Sequence, residues 1–247
     1  MAKYSSADAA FVLIDGYSIA AYLTNVAQKP SESMTEDVTC LSDTWRKQAD
    51  VSVKDAEFSI EGFFDDTANT TKTALRGLTG TTRIAMVGPA GNTIGRTFYG
   101  YQVIEADAEE PIIRGELAKV RATFKGAAQS DQGLIIHALT ADSGSSGTTQ
   151  PGSSVDNGAS SANGAVGYLE VTALTLGGYT SVTIKLRHST DNSSYADLIT
   201  FTNITAAPGK ERLTVAGTVN RYLATSYAFN GAGSGQSVTY AVGAARG

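Results

Sequence analysis

A mainly β protein is what this sequence predicts: an N-terminal β-sandwich or barrel domain with one short helix, followed by a C-terminal, jelly-roll-like β-sandwich. Three observations predict it. Charged residues make up only 17% of the 247, while glycine alone supplies 26, a mixture that suits short strands and turns better than charged helices. Two segments alternate with a period of two: Ala56, Phe58, Ile60 and Gly62 against Glu57, Ser59, Glu61 and Phe63, and Val182, Ile184 and Leu186 against Thr183, Lys185 and Arg187. Turn-forming residues recur between apolar runs along the chain. Apolar residues reach 42%, enough for a substantial core.

In chain order, residues 10–15 and 19–26 read as strands around the turn Asp15-Gly16. An irregular stretch, 41–53, precedes the alternating strand 55–64. Asp65-Asp66-Thr67 supplies N-cap candidates for a helix over 68–78, with Leu75 and Leu78 inward and Gly80 as its stop. Strands 82–87 and 96–105 flank a Gly/Pro/Asn loop, and strands 115–125 and 133–139 follow. Residues 143–165 are almost all small and polar, which places a boundary near 147: a first domain over 1–147, a Ser/Gly-rich linker and start of the second domain over 148–165, and a sandwich over 166–247. Val155-Asp156-Asn157-Gly158 reads as a short edge strand and turn. Strands 182–187, 195–202, 213–219, 221–229 and 237–243 then come at sandwich-like spacing.

Charge is uneven. Through residue 147 there are 13 Lys+Arg against 19 Asp+Glu, net −6; the rest carries 6 against 5, net +1. An acidic first part argues against clamping nucleic-acid phosphates, which takes clustered Lys and Arg. Cys40 is the single cysteine, so no internal disulfide forms. The sequons at Asn69, Asn192 and Asn203 are read as chance matches, because no signal peptide is evident. The run Phe11–Ile14 is far too short to cross a membrane, and a soluble chain made in a cytoplasm is expected.

Catalytic signatures are weak throughout. Asp65-Asp66 and Glu109-Glu110 are adjacent pairs, and neighbours on a strand point to opposite faces. His137 and His188 lack partners at metal-ligand spacing, and Cys40 lacks a base. The glycines of Gly231-x-Gly233-x-Gly235 precede a strand, so they form a turn and no phosphate cradle. No catalytic residue, cofactor or metal ligand is therefore assigned. Tyr168, Tyr179, Tyr195, Tyr222 and Tyr227 form either a sugar-stacking platform or ordinary core and rim.

Three pieces in one order, FVLIDGYSIAAYLTNV, then DTWRK…SIEGFFDD, then IAMVGPAGNTIG, make residues 10–140 resemble the major tail protein (tail tube protein) family of long-tailed bacteriophages. The segment from TLGGYTSVTIKLRHSTDNSSYADLITFT to VNRYLATSYAF is similar to galactose-binding-like or Ig-like sandwiches appended to such proteins. Fold likeness alone does not establish sugar binding. The resemblance implies a virion protein, made in the host cytoplasm, that forms hexameric rings stacked into a tube. DNA would pass through the lumen without specific binding and without membrane contact. Tape-measure, tail terminator and tail-tip proteins would be its partners. It also implies an inter-ring contact at Asp43, Trp45, Arg46 and Lys47, unless Trp45 covers its own core. Glu105, Asp107, Glu109 and Glu110 would form an acidic hairpin turn lining the channel, with Lys119 and Arg121 beside them, unless the run is a solvated outer turn. Salt bridges between subunits would reconcile the basic strand with the acidic turn. Alternatives are the tube subunit of a tail-like bacteriocin or gene-transfer particle, and a carbohydrate-binding adhesin with a β-rich stalk.

Overall fold

The computed structural model describes residues 11–42, 44–144 and 154–247. β1 (Phe11–Ile14) turns through Asp15-Gly16 into β2 (Tyr17–Ser18), and one 3-10 turn at Ala20–Tyr22 leads into β3 (Leu23–Asp37). β4 (Gln48–Phe63), α1 (Thr71–Leu75), β5 (Thr82–Gly88), β6 (Thr97–Glu109), β7 (Lys119–Gly126) and β8 (Asp131–Asp142) follow. Then come β9 (Val155–Asp156), β10 (Ala165–Thr175), β11 (Ser181–Ser189), β12 (Ala196–Thr200), β13 (Gly209–Val215), β14 (Tyr222–Asn230) and β15 (Ser237–Arg246). The mainly β class expected from composition and alternation is the class observed.

All pairing is antiparallel. One sheet runs β13-β10-β15-β8-β6-β5-β1-β2, and a branch leaves β6 through β7 and β4 to β3. The branch closes over a core shared by Val12, Phe58, Ile60, Val87, Tyr101, Val120 and Phe124, with Ala74 and Leu75 of α1 inserted. This is the barrel half, left open between β2 and β3 among the described residues. The second sheet, β12-β11-β14-β9, packs on β10, β15 and β8 to form the sandwich half, around Leu169, Val182, Ile184, Phe201, Tyr227 and Tyr240. Between the halves lies a third cluster, with Phe11, Leu13, Met86, Phe98, Ile135 and Tyr168. Gly100 allows that contact: a Cβ there would stand 2.4 Å from the Tyr168 ring.

Several expectations shift. The inward face Ala56, Phe58, Ile60 is buried as the alternation predicts. β4, however, starts at Gln48, so residues 48–53 are strand and not irregular. The helix spans only Thr71–Leu75, and its N-cap is Thr70 without a side-chain cap bond. Asp65 instead holds the Thr67 N–H and hydroxyl, at 2.8 and 2.6 Å, shaping the loop ahead of the helix. β10 is buried on both faces from Gly167 to Val171, so it shows no alternation by which it could be read. Strand pairing also crosses the predicted boundary: β8 pairs β15 from Leu134↔Ala244 to Asp142↔Val238.

Candidate assembly surface

β3 and β4 form one long hairpin with two fates. Near the barrel, Leu23 to Lys29 pair with Gly62 to Glu57 and contribute Leu23, Val26, Phe58 and Ile60 to the core. Beyond register shifts between Lys29 and Glu32 and between Ser33 and Thr35, the same strands run on as a two-stranded arm. The described side chains of residues 31–42 and 44–48 are all exposed. A two-stranded ribbon alone is marginal in water, because it buries little apolar surface.

The arm's tip is held by local polar bonds. The Lys47 N–H donates to Thr39 Oγ1 at 2.8 Å, the Val38 N–H donates to the Lys47 carbonyl at 3.1 Å, and Arg46 Nε donates to Asp37 at 2.9 Å. Hydrogen bonds from the Thr39 hydroxyl and N–H, with Arg46 behind them, hold the Asp37 carboxyl below its usual range. Three large apolar side chains ride on this frame: Val38, Leu41 and Trp45, the last 82% exposed. Trp45 does not cover its own core. Arg46 and Lys47 stand beside it, and Asp43 lies outside the described residues.

A second exposed apolar cluster lies at the other end of β4. Its last residue, Phe63, pairs with Lys119, the first of β7, and the loop 110–118 opens there. Ile112, Ile113 and Leu117 in that loop are 85%, 53% and 71% exposed. Lys119 Nζ bonds Glu116 at 2.9 Å, and Glu110 stands 3.8 Å from Arg76. The 16 residues of β4, a contour of roughly 50 Å at about 3.3 Å per residue, separate the two apolar ends along the strand.

The acidic run is arranged differently from the sequence expectation. Glu105, Asp107 and Glu109 belong to β6 itself, and the turn begins at Glu110-Pro111. A bulge between Glu105 and Asp107 changes which side chains face in. Glu105 continues the buried face of Tyr101 and Val103 and is wholly buried, while Asp107 and Glu109 face out. Glu105 is therefore removed from the channel-lining set. On the outer face Arg121 lies opposite Glu61 on one side and Glu109 on the other, with its Nη2 3.1 Å from Glu61. The basic strand thus finds a partner for Arg121 within its own chain, where contacts between subunits were expected.

The tyrosines do not form a platform. Tyr168 and Tyr227 are core residues, Tyr179 packs on Phe229, and Tyr222 lies under the Arg221 guanidinium. Tyr195 donates to Asn192 in its own turn. His137 bonds Asp142 at 3.1 Å and stacks on Tyr240, and His188 accepts the Asn220 N–H at 3.2 Å. Sequence reading missed a buried cluster around Arg83, with Asp15, Glu105, Glu170 and Lys210. A lone Arg inside the apolar strand TRIAMVG was the signal that could have found it.

No family model matches the sequence, and no curated protein matches it. Among solved structures, the chain is similar to one in the virion of a native gene transfer agent particle, at 15% identity over 53% of this chain and 98% of that one, with a TM-score of 0.38. A chain from the tail of an empty gene transfer agent particle, refined with C6 symmetry, gives 16% identity, 44% and 80% coverage and a TM-score of 0.32. The SPP1 Dit (gp 19.1) protein, described as a paradigm of the hub adsorption apparatus in phages infecting Gram-positive bacteria, gives 11%, 95%, 98% and 0.33.

Proposed function

We propose that this chain is a structural virion protein that assembles by repeating one head-to-tail contact, as the tube subunit of a phage-type tail. The observation that carries the reading is the pair of exposed apolar ends on β4, the arm tip with Leu41 and Trp45 and the loop with Ile112, Ile113 and Leu117. Two different surfaces at opposite ends of one molecule make a heterologous contact, which repeats along an axis instead of closing as a dimer. Within a ring, the outer edge of β3 is available, since among the described residues β3 pairs only with β4. Tape-measure, terminator and tip proteins are the partners such a tube would meet.

The face of β4, β7 and β6 is assigned to the channel. Glu57, Glu61, Asp107 and Glu109 on it slightly outnumber Lys119, Arg121 and Lys125. Interleaved charges of both signs with an acidic excess offer phosphates no basic track, so DNA slides past.

Cys40 at the arm tip is exposed, which makes the head-to-tail contact testable by cross-linking. In Ile113→Cys protein at high concentration, mild oxidation should yield a ladder of covalent multimers that vanishes when Cys40→Ser is added. Dimers only, or no product with particles present, contradict the contact.

A further inference from the structure

Five charged side chains meet where the β1–β2 turn presses on β10 and β13, and their charges do not balance. Arg83 donates through Nε to Asp15, through Nη1 to Glu105 and through Nη2 to the Ala74 carbonyl. Lys210 reaches the other Asp15 oxygen, which also accepts the Ile84 N–H at 2.9 Å. Glu170 accepts the Gly16 N–H. Arg83 is 1% exposed, and Glu105 and Glu170 are 0% exposed. Oε1 of each glutamate has no hydrogen-bond partner among the described residues. Asp15, Glu105 and Glu170 thus face only Arg83 and Lys210, which leaves one negative charge uncompensated away from water. A buried charge without a partner is removed by protonation, because desolvation costs more than holding the proton.

The charged groups facing Glu170 are Asp15 from the turn, Lys210 from β13 and Arg83 from β5; Glu105 bonds another nitrogen of that same guanidinium. Among the described residues Glu170 has no direct ion pair. Burial lifts its carboxyl well above the usual range, Asp15 pushes the same way, and the Gly16 N–H, Lys210 and Arg83 oppose the rise. The turn above it sits in backbone contact: at Gly16, with φ +81°, a Cβ would stand 2.6 Å from the Val171 carbonyl and 2.8 Å from the Gly209 nitrogen. Glu170 Oε1 is buried and unbonded among the described residues, so an ionised Glu170 gains water only if the turn above it lifts.

We propose that this cluster is a proton-held clasp: one proton, resident on the Glu170 carboxyl, keeps the β1–β2 turn seated on β10 and β13, and its loss in alkaline solution loosens the seam between barrel and sandwich. The seated state binds the proton and the lifted state releases it, so seating is favoured at low pH and weakens as pH rises. The β8–β15 ladder, outside the cluster, stays closed throughout and serves as the hinge.

Amide hydrogen exchange on the full, unassembled chain tests this at about pH 6 and about pH 9, after correction for the intrinsic rate of exchange. The peptide covering Gly16, whose N–H Glu170 holds, should lose protection about tenfold at the higher pH, while β8, β10 and β15 keep theirs. Glu170→Gln should hold the turn closed at both. Equal protection at the two pH values, or the same alkaline loss in Glu170→Gln, overturns the clasp. Infrared spectroscopy of the wild type adds a readout independent of that variant. A protonated-carboxyl band should persist at about pH 8, above the value of about 7 to which Glu105 is raised, and fade in stronger alkali; its absence at about pH 8 overturns the proposal by itself.

Discussion

Arg83 on β5 and Glu105 on β6 form an ion pair across neighbouring strands, and neither side chain reaches solvent. The same guanidinium bonds the Ala74 carbonyl near the end of α1 and Asp15 in the β1–β2 turn. One side chain thus ties helix, turn and sheet together.

Replacing Arg83 with alanine strands Glu105 and removes one of the two cationic partners of Asp15. Breaking a buried pair from one side costs about 3–5 kcal/mol. Denaturant unfolding of Arg83→Ala should show that loss, whereas the volume-matched double change Arg83→Met with Glu105→Leu should recover much of it.

Stability should depend on pH in an unusual direction. Burial, with a smaller push from Asp15 and against the pull of Arg83, raises the Glu105 carboxyl from an ordinary 4.5 to about 7. Between those values the folded chain holds a proton that the unfolded chain has released. This contribution is complete below the unfolded value and is lost as pH rises through about 7. Denaturation midpoints should fall across that window, and Glu105→Gln should flatten the decline.

Truncation at residue 147 should not leave a folded barrel. It removes β10 and β15, which cover Phe98, Ile135 and Met86. The shortened chain should lose its cooperative thermal transition and aggregate. A sharp transition would show that the barrel stands alone.

Trp45 contacts solvent, so Trp45→Ala should alter unfolding of the isolated chain by no more than about 0.5 kcal/mol. Sedimentation velocity at high concentration should nonetheless show lost assembly if Trp45 anchors the proposed head-to-tail contact.

How far the fold could be read in advance depended on burial pattern. β4 and β11 each present one wet face, and their alternation announced them. β10 has no wet face in its first half and passed unread. At Glu105 the period of two placed three acids on one face, but Glu105 keeps the buried phase of Tyr101 and Val103 while the bulge after it turns Asp107 and Glu109 outward. A bulge leaves no mark in hydrophobic periodicity. Trp45 is exposed and covers no core of its own, which removes one of the two readings its sequence left open, yet nothing in the residues told that β3 and β4 would carry it so far from the core. The Arg83 cluster draws on β5, β6, β10, β13 and a turn, so only the folded chain brings it together.

Electron microscopy of the purified chain at rising concentration tests the assembly account most directly. Stacked rings forming a tube with a central channel, lost in Trp45→Ala, are the predicted result. A chain that stays monomeric at high concentration, with the arm still exposed, would contradict it.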